Sequence, residues 1–266
     1  MSGRTAAEES RSGPLYAVTD MTLRFGGITA MADLDFEARR DELVAVIGPN
    51  GAGKTSLLNT LSGLYRPQKG RLVLDGEDVT GLSMHALARR GVARTFQGAH
   101  LFPGLTVLEN ILVGRHIRMR TNILEAFAYF PFSHREEIEH RAVAEEIIDF
   151  LEIEGVRNEP VGTLGYGLRK RVDLARALAM EPKLLLMDEP MAGMNVEEKE
   201  DLARFILDLR EGRRLTVVLV EHDMSVVMDI ADRVVVLDFG LKIGEGTPAE
   251  VQRDPAVIAA YLGRAA

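Results

Sequence analysis

Residues 48–55 read Gly48-Pro49-Asn50-Gly51-Ala52-Gly53-Lys54-Thr55, with the spacing G-x-x-x-x-G-K-[ST] of a phosphate-binding loop. The flanks suit that reading. Leu43-Val44-Ala45-Val46-Ile47 is a short apolar run that predicts a buried strand. Ser56 then opens a stretch with Leu57, Leu58 and Leu61 at helical spacing, and Gly63 stops it. In a strand–loop–helix unit the glycines let backbone N–H groups turn toward phosphate oxygens, and the helix N-terminus adds positive potential. Lys54 is placed to reach the β- and γ-phosphates of a nucleotide, and the Thr55 hydroxyl to ligate Mg²⁺.

The rest of the composition narrows the function. The chain has 266 residues, 46% of them hydrophobic, enough for one large domain or two small ones. The net charge of −8 argues against nucleic acid as the main partner. Two basic clusters, Arg169-Lys170-Arg171 and Arg213-Arg214, read as solvated faces. There is no cysteine, which excludes disulfides and cysteine-ligated metals, and the six histidines show no metal-ligand spacing. No apolar run approaches the roughly 18 residues of a membrane span. Residues 1–13 are small, polar and charged without an apolar stretch, so they predict a flexible tail and a cytoplasmic chain that meets a membrane only through a partner.

An α/β chain in three parts follows. Residues 14–97 hold antiparallel β signals around the nucleotide strand: Ala17–Phe25, a second strand through Leu34 and Phe36, and Gly70–Leu74. A helix over Thr80–Arg90 and a strand over Gly91–Phe96 complete this part. Residues 98–180 read as mostly helical. Thr106 and Glu109 form a capping box, and an aromatic-rich stretch Thr121–Ser133 is broken by Pro131. Amphipathic helices cover Arg135–Leu151 and Leu168–Met180. Residues 181–266 return to α/β, with Leu184–Met187 and Val217–Val220 as parallel-type strands, a helix over Glu197–Arg210 between them, and Val234–Leu237 as a further strand.

Three strand ends carry further chemistry. Asp188-Glu189 follows Leu184–Met187; Asp188 suits the Mg²⁺ shell, and Glu189 can polarise an attacking water. Gln97 stands at the end of Gly91–Phe96, where an amide can ligate Mg²⁺ and orient water. His222, after Val217–Glu221 and at the start of a helix, can donate to a γ-phosphate or its transition state.

Phosphate loop, Gln97, Asp188-Glu189 and His222 fall in the order found in ATP-binding cassette (ABC) ATPases, and the chain resembles that family from Leu15 onward. Leu164-Gly165-Tyr166-Gly167-Leu168 resembles the family's signature motif, and Ala192-Gly193-Met194-Asn195 its D-loop. Phe25 resembles the aromatic that stacks on adenine. The resemblance implies a P-loop NTPase fold with an antiparallel β subdomain and an inserted helical subdomain. It also implies ATP and Mg²⁺ as cofactors and a head-to-tail dimer in which each signature closes over the other subunit's ATP. Arg24–Gly27, Arg94–Gln97, Glu221–Met224 and Tyr261-Leu262-Gly263 look most similar to ATP-binding subunits of branched-chain amino-acid importers. The implied partners are integral membrane permease subunits, a second ABC ATPase subunit and, indirectly, a periplasmic or extracellular binding protein. The implied place is peripheral, on the cytoplasmic face of the cell membrane. Urea and amide importers use similar subunits, and a non-transport cytosolic ABC ATPase is the remaining alternative. One departure stands out: Gly165 and Leu168 replace the Ser and Gln of the usual Leu-Ser-Gly-Gly-Gln.

Overall fold

The computed structural model describes residues 13–98, 100–118 and 130–262. Strands β1 (Tyr16–Phe25) and β2 (Ile28–Ala38) form a hairpin across Gly26-Gly27. Strand β3 (Leu43–Ile47) and helix α1 (Lys54–Leu61) follow, then β4 (Lys69–Leu74) and the two-residue β5 (Glu77–Asp78). Next come α2 (Met84–Arg89), β6 (Val92–Arg94), α3 (Val107–Arg115), α4 (Phe130–Phe150) and α5 (Tyr166–Leu178). The last third holds β7 (Leu184–Asp188), α6 (Val196–Arg213), β8 (Thr216–Val220), α7 (Met224–Ile230) and β9 (Arg233–Asp238). Strand β10 (Leu241–Gly246) and the short helices α8 (Pro248–Val251) and α9 (Pro255–Leu262) close the chain.

Two sheets result. One is antiparallel in the order β2-β1-β4-β5; the other has the order β10-β9-β3-β8-β7-β6. The second is parallel except for β10 at its edge. Every residue of β3 is buried because alternate side chains enter different cores. Val44 and Val46 face the antiparallel sheet and α1, in a core with Tyr16, Leu57, Leu58 and Leu61. Leu43 packs on the other face with residues of α3–α6. Ala45 and Ile47 join Val227, Val251 and Val257. A fully buried aliphatic side chain of this kind contributes roughly 1.5–3 kcal/mol. Among the described residues no helix is long and apolar enough to cross a membrane.

Several expectations need correction. The antiparallel strands flank β3 only in sequence; in space its neighbours are β8 and β9. Helix α2 begins at Met84, four residues later than read, because Thr80 Oγ1 accepts from Leu72 N–H at 2.8 Å and Ser83 caps the helix. Strand β6 stops at Arg94, since Phe96 N–H is diverted to the Asp173 carboxylate at 3.2 Å. Pro131 does not break the chain before a helix; it lies in the first turn of α4, where a missing N–H costs nothing. The rest of the aromatic stretch before Phe130 lies outside the described residues. Helix α7 starts at Met224, so His222 precedes it instead of opening it. The capping box of Thr106 and Glu109 forms as read.

Candidate active site

The loop after β3 turns on Gly48, whose φ is +149°. A Cβ there would sit 2.1 Å from the Leu237 carbonyl oxygen, so no other residue fits. Gly53, also left-handed at φ 105°, is the N-cap of α1. The first N–H groups of α1 therefore open toward a cleft of about 410 Å³. Asn50–Ser56, Ile28–Ala30, Glu189 and Phe239 line it. Lys54, 6% exposed, donates to the carbonyls of Gly48 at 2.7 Å and Pro49 at 3.1 Å. Burial pulls its pKa below the usual lysine value, against the opposing pull of Glu189 and Asp188.

Parallel pairing brings the other strand ends to the same edge. Asp188 ends β7 beside the loop, and its carboxylate pairs with Arg94 at 2.9 Å, both side chains being buried. Arg94 also donates to Asn59 at 2.6 Å and Ser62 at 3.0 Å, both near the end of α1. Burial pushes Asp188 above the usual carboxylate value and outweighs the pull of Arg94. Glu189 takes a left-handed φ of 45°, with its N–H on the Val220 carbonyl at 2.9 Å. That turn presents its carboxylate to Gln97, whose Nε2 donates at 2.9 Å. His222 Nδ1 lies 3.9 Å from the same carboxylate. The four strand-end residues named from sequence thus come together around the phosphate loop.

Three partners escaped the sequence. Glu221 is completely buried and accepts from Met191 N–H at 2.9 Å and His222 N–H at 3.1 Å, fixing the backbone on both sides of the site. Arg94 was visible only inside a quoted motif; a cation ending an apolar strand was its signal. Lys170, read as part of a solvated basic face, is 4% exposed and donates to the Gln97 carbonyl at 2.6 Å. Burial lowers its pKa, opposed by Asp173, Glu221, Asp188 and Glu189.

A glycine loop at a helix N-terminus beside two carboxylates, an amide and an imidazole is built for phosphoryl transfer. The family model for ABC transporters matches residues 31–192. The chain belongs to the ABC transporter family. As an ABC ATPase it binds nucleotide and hydrolyses ATP. A second model, described as a branched-chain amino acid ATP-binding cassette transporter, matches residues 242–266. The chain is 41% identical to the high-affinity branched-chain amino acid transport ATP-binding protein BraF of Pseudomonas aeruginosa, over 96% of this chain and 100% of that protein. It is 39% identical to the corresponding LivG of Escherichia coli K12, with the same coverage. Among solved structures, it is similar to the ADP conformation of an ABC transporter cassette, with a TM-score of 0.83 at 28% identity, covering 95% of this chain and 100% of that one. A dimeric bacterial ABC transporter cassette matches with a TM-score of 0.75 at 26% identity, over 88% and 98%.

In this ABC ATPase the segment Leu164–Leu168, which resembles the family signature, lies apart from the cleft-lining residues. Gly165 is the N-cap of α5 without a side-chain cap, and a Cβ there would meet nothing within 4 Å. Leu164 and Leu168 pack partly buried against the helical core, and Gly167 is buried in the first turn. Tyr166 stands over Gly193, in the segment that resembles a D-loop. Asn195 starts α6, its side chain accepting from Glu198 N–H at 2.9 Å in a capping box. Phe25 stands edge-on to Tyr65, centroids 5.0 Å apart, and does not line the cleft; its hairpin partner Ile28 does.

The donors near the cleft fit magnesium. Thr55 offers a hydroxyl and Asp188 a carboxylate; with Gln97 Nε2 turned to Glu189, its carbonyl oxygen is the atom that can face a cation. All are hard oxygen donors. Among the described residues there is no cluster of three or more His, Cys, Asp or Glu that could cage a metal.

Proposed function

We propose that this chain is the ATPase subunit that powers import of branched-chain amino acids. The observation that carries the cargo is the match of residues 242–266 to the branched-chain family model, on a chain aligned over nearly its whole length with such subunits. The inferred arrangement places the chain on the cytoplasmic face of the membrane. It works with integral permease subunits and a second ABC ATPase subunit, and a periplasmic or extracellular protein delivers the cargo. Residues 98–180 act as the helical signature subdomain, and 14–97 with 181–266 as the nucleotide-binding core.

In the proposed mechanism the loop Gly48–Ser56 cradles the phosphates and Lys54 neutralises the β- and γ-oxygens. Binding must draw the Lys54 ammonium from the Gly48 and Pro49 carbonyls, which its loop contacts make a local movement. Thr55, Asp188 and Gln97 would hold magnesium, which would supply charge neutralisation at the phosphates. Gln97 and Glu189, 2.9 Å apart, orient one water. Glu189 takes its proton as its oxygen bonds to the γ-phosphorus, and the bond to the bridging oxygen breaks to leave ADP and inorganic phosphate. His222 donates to the γ-oxygens as charge develops. The signature of the partner ATPase completes the site.

The test is reconstitution with the permease subunits and the second ATPase in vesicles. ATP should drive uptake of labelled leucine, isoleucine and valine, and Lys54→Ala should abolish nucleotide binding by this chain. Uptake of urea or short amides alone would move the cargo assignment. ATP hydrolysis without assembly on any permease would favour a cytosolic ABC ATPase.

A further inference from the structure

The β9–β10 hairpin turns on only two residues, Phe239 and Gly240, with φ values of 44° and 76°. Both central residues left-handed is the geometry that Asn-Gly satisfies without strain. A phenylalanine there is a bulky side chain in an unfavourable backbone region. Burial does not compensate, because Phe239 is 74% exposed. The turn is nevertheless held firmly. Gly240 N–H donates to the Ala52 carbonyl of the phosphate loop at 2.9 Å, and its own carbonyl accepts from Ala32 N–H at 3.2 Å. A Cβ on Gly240 would lie 2.3 Å from the Ala30 carbonyl oxygen. The chain thus fixes an exposed phenyl ring at one place, and that place is the cleft of the phosphate loop, which Phe239 lines together with Ile28, itself 72% exposed. Strain kept beside a binding cleft points to function.

We propose that Phe239, with Ile28, forms an apolar wall that contacts the base and sugar of the bound nucleotide. The phosphate end of the same cleft is charged, carrying Lys54 and Glu189, whereas this rim offers carbon surface and a π-face. A nucleotide has the matching division: charged phosphates at one end and a flat base at the other. The contact adds to whatever Phe25 supplies from the other end of the β1–β2 turn. The inference rests on the assignment of the phosphate loop as the ATP site.

The experiment separates the two. Binding of ATP and of inorganic tripolyphosphate is measured by calorimetry for the wild type and Phe239→Asn, at one magnesium concentration. Asparagine suits the turn, so the variant should melt at or above the wild-type temperature. It should bind ATP about tenfold more weakly, the lower range for loss of a base–aromatic contact. Its affinity for tripolyphosphate, which has no base, should stay within about twofold. The chain contains no tryptophan, so Phe239→Trp supplies a single reporter whose emission should respond to ATP and not to tripolyphosphate. Unchanged ATP affinity in Phe239→Asn, or equal weakening of both ligands, overturns the proposal. Failure of the wild type to bind either ligand would instead overturn the assignment of the loop.

Discussion

Gly165→Ser restores the one hydroxyl that the signature segment lacks, and the structure allows its two effects to be separated. At Gly165 the backbone is extended, with φ −61° and ψ 163°, and the residue is the N-cap of α5. Nothing lies within 4 Å of an added Cβ, so serine fits without rearrangement. Its oxygen can accept from the N–H of Leu168, the third residue of the helix, while its proton remains available to a ligand. As a cap, serine gains only a few tenths of a kcal/mol over glycine, which moves the melting temperature of a chain this long by about 1 °C. A hydrogen bond to a charged phosphoryl group is worth about 1.5–3 kcal/mol, or roughly 10- to 150-fold in rate if made in the transition state. Backbone N–H groups at the α5 terminus already recover part of that, so about tenfold is expected. The gain should appear at the partner's nucleotide site, because this signature lies away from its own cleft. The assay is steady-state ATPase in a two-ATPase complex in which one general-base Glu at a time is changed to Gln, with and without the serine. An equal gain at both sites, or none at either, would show that backbone donors suffice and that Gly165 does not limit the partner's site.

Glu189→Gln should keep ATP binding and lose about 10²–10⁴-fold in turnover; near-normal hydrolysis would remove Glu189 from the role of base. Phe102→Glu should leave the melting temperature unchanged yet prevent assembly with permease subunits. The ring is 51% exposed, while Asn110 holds the loop through Phe102 N–H at 2.9 Å; an assembled variant would refute docking at this loop. Arg233→Ala should cost about 3–5 kcal/mol in urea unfolding, since it strands a buried Glu42 that Arg233 grips at 2.7 and 2.8 Å; a loss below about 1 kcal/mol would contradict that. Lys199, and then Ser225, hold Asp223 down at about 2 from an ordinary 3.8. The stability it adds is therefore present above about pH 4 and lost as pH falls toward about 2. The stability difference between wild type and Asp223→Asn should vanish over that range, and a constant difference would show that the charge is not its source.

What could be read in the sequence was whatever a local pattern encodes. The glycine spacing, the fully apolar β3, β7 and β8, and the acids that end β7 each announce themselves over a few residues. Elements whose existence depends on distant partners did not. Strand β10 has two glycines and no buried position, and only its pairing with β9 makes it a strand. The basic run at 169–171 looks uniform, yet helical phase sends Lys170 inward while Arg171, only partly buried, pairs with Asp201. Glu221 looked like one more polar strand end, and only the convergence of two backbone loops accounts for a carboxylate with no exposure. Phe239 lines a cleft that no local pattern around it announces.

The bond from Lys170 to the Gln97 carbonyl has a consequence for how two such chains would communicate. Lys170 belongs to the helix whose N-terminus is proposed to meet a second ATPase subunit, and Gln97, bonded to Glu189, is proposed to orient water in the chain's own site. Whatever displaces Gln97 when nucleotide arrives or leaves pulls on a buried ammonium one turn along from Gly165. In a head-to-tail pair each subunit would therefore have its own site mechanically joined to the face it lends to the other.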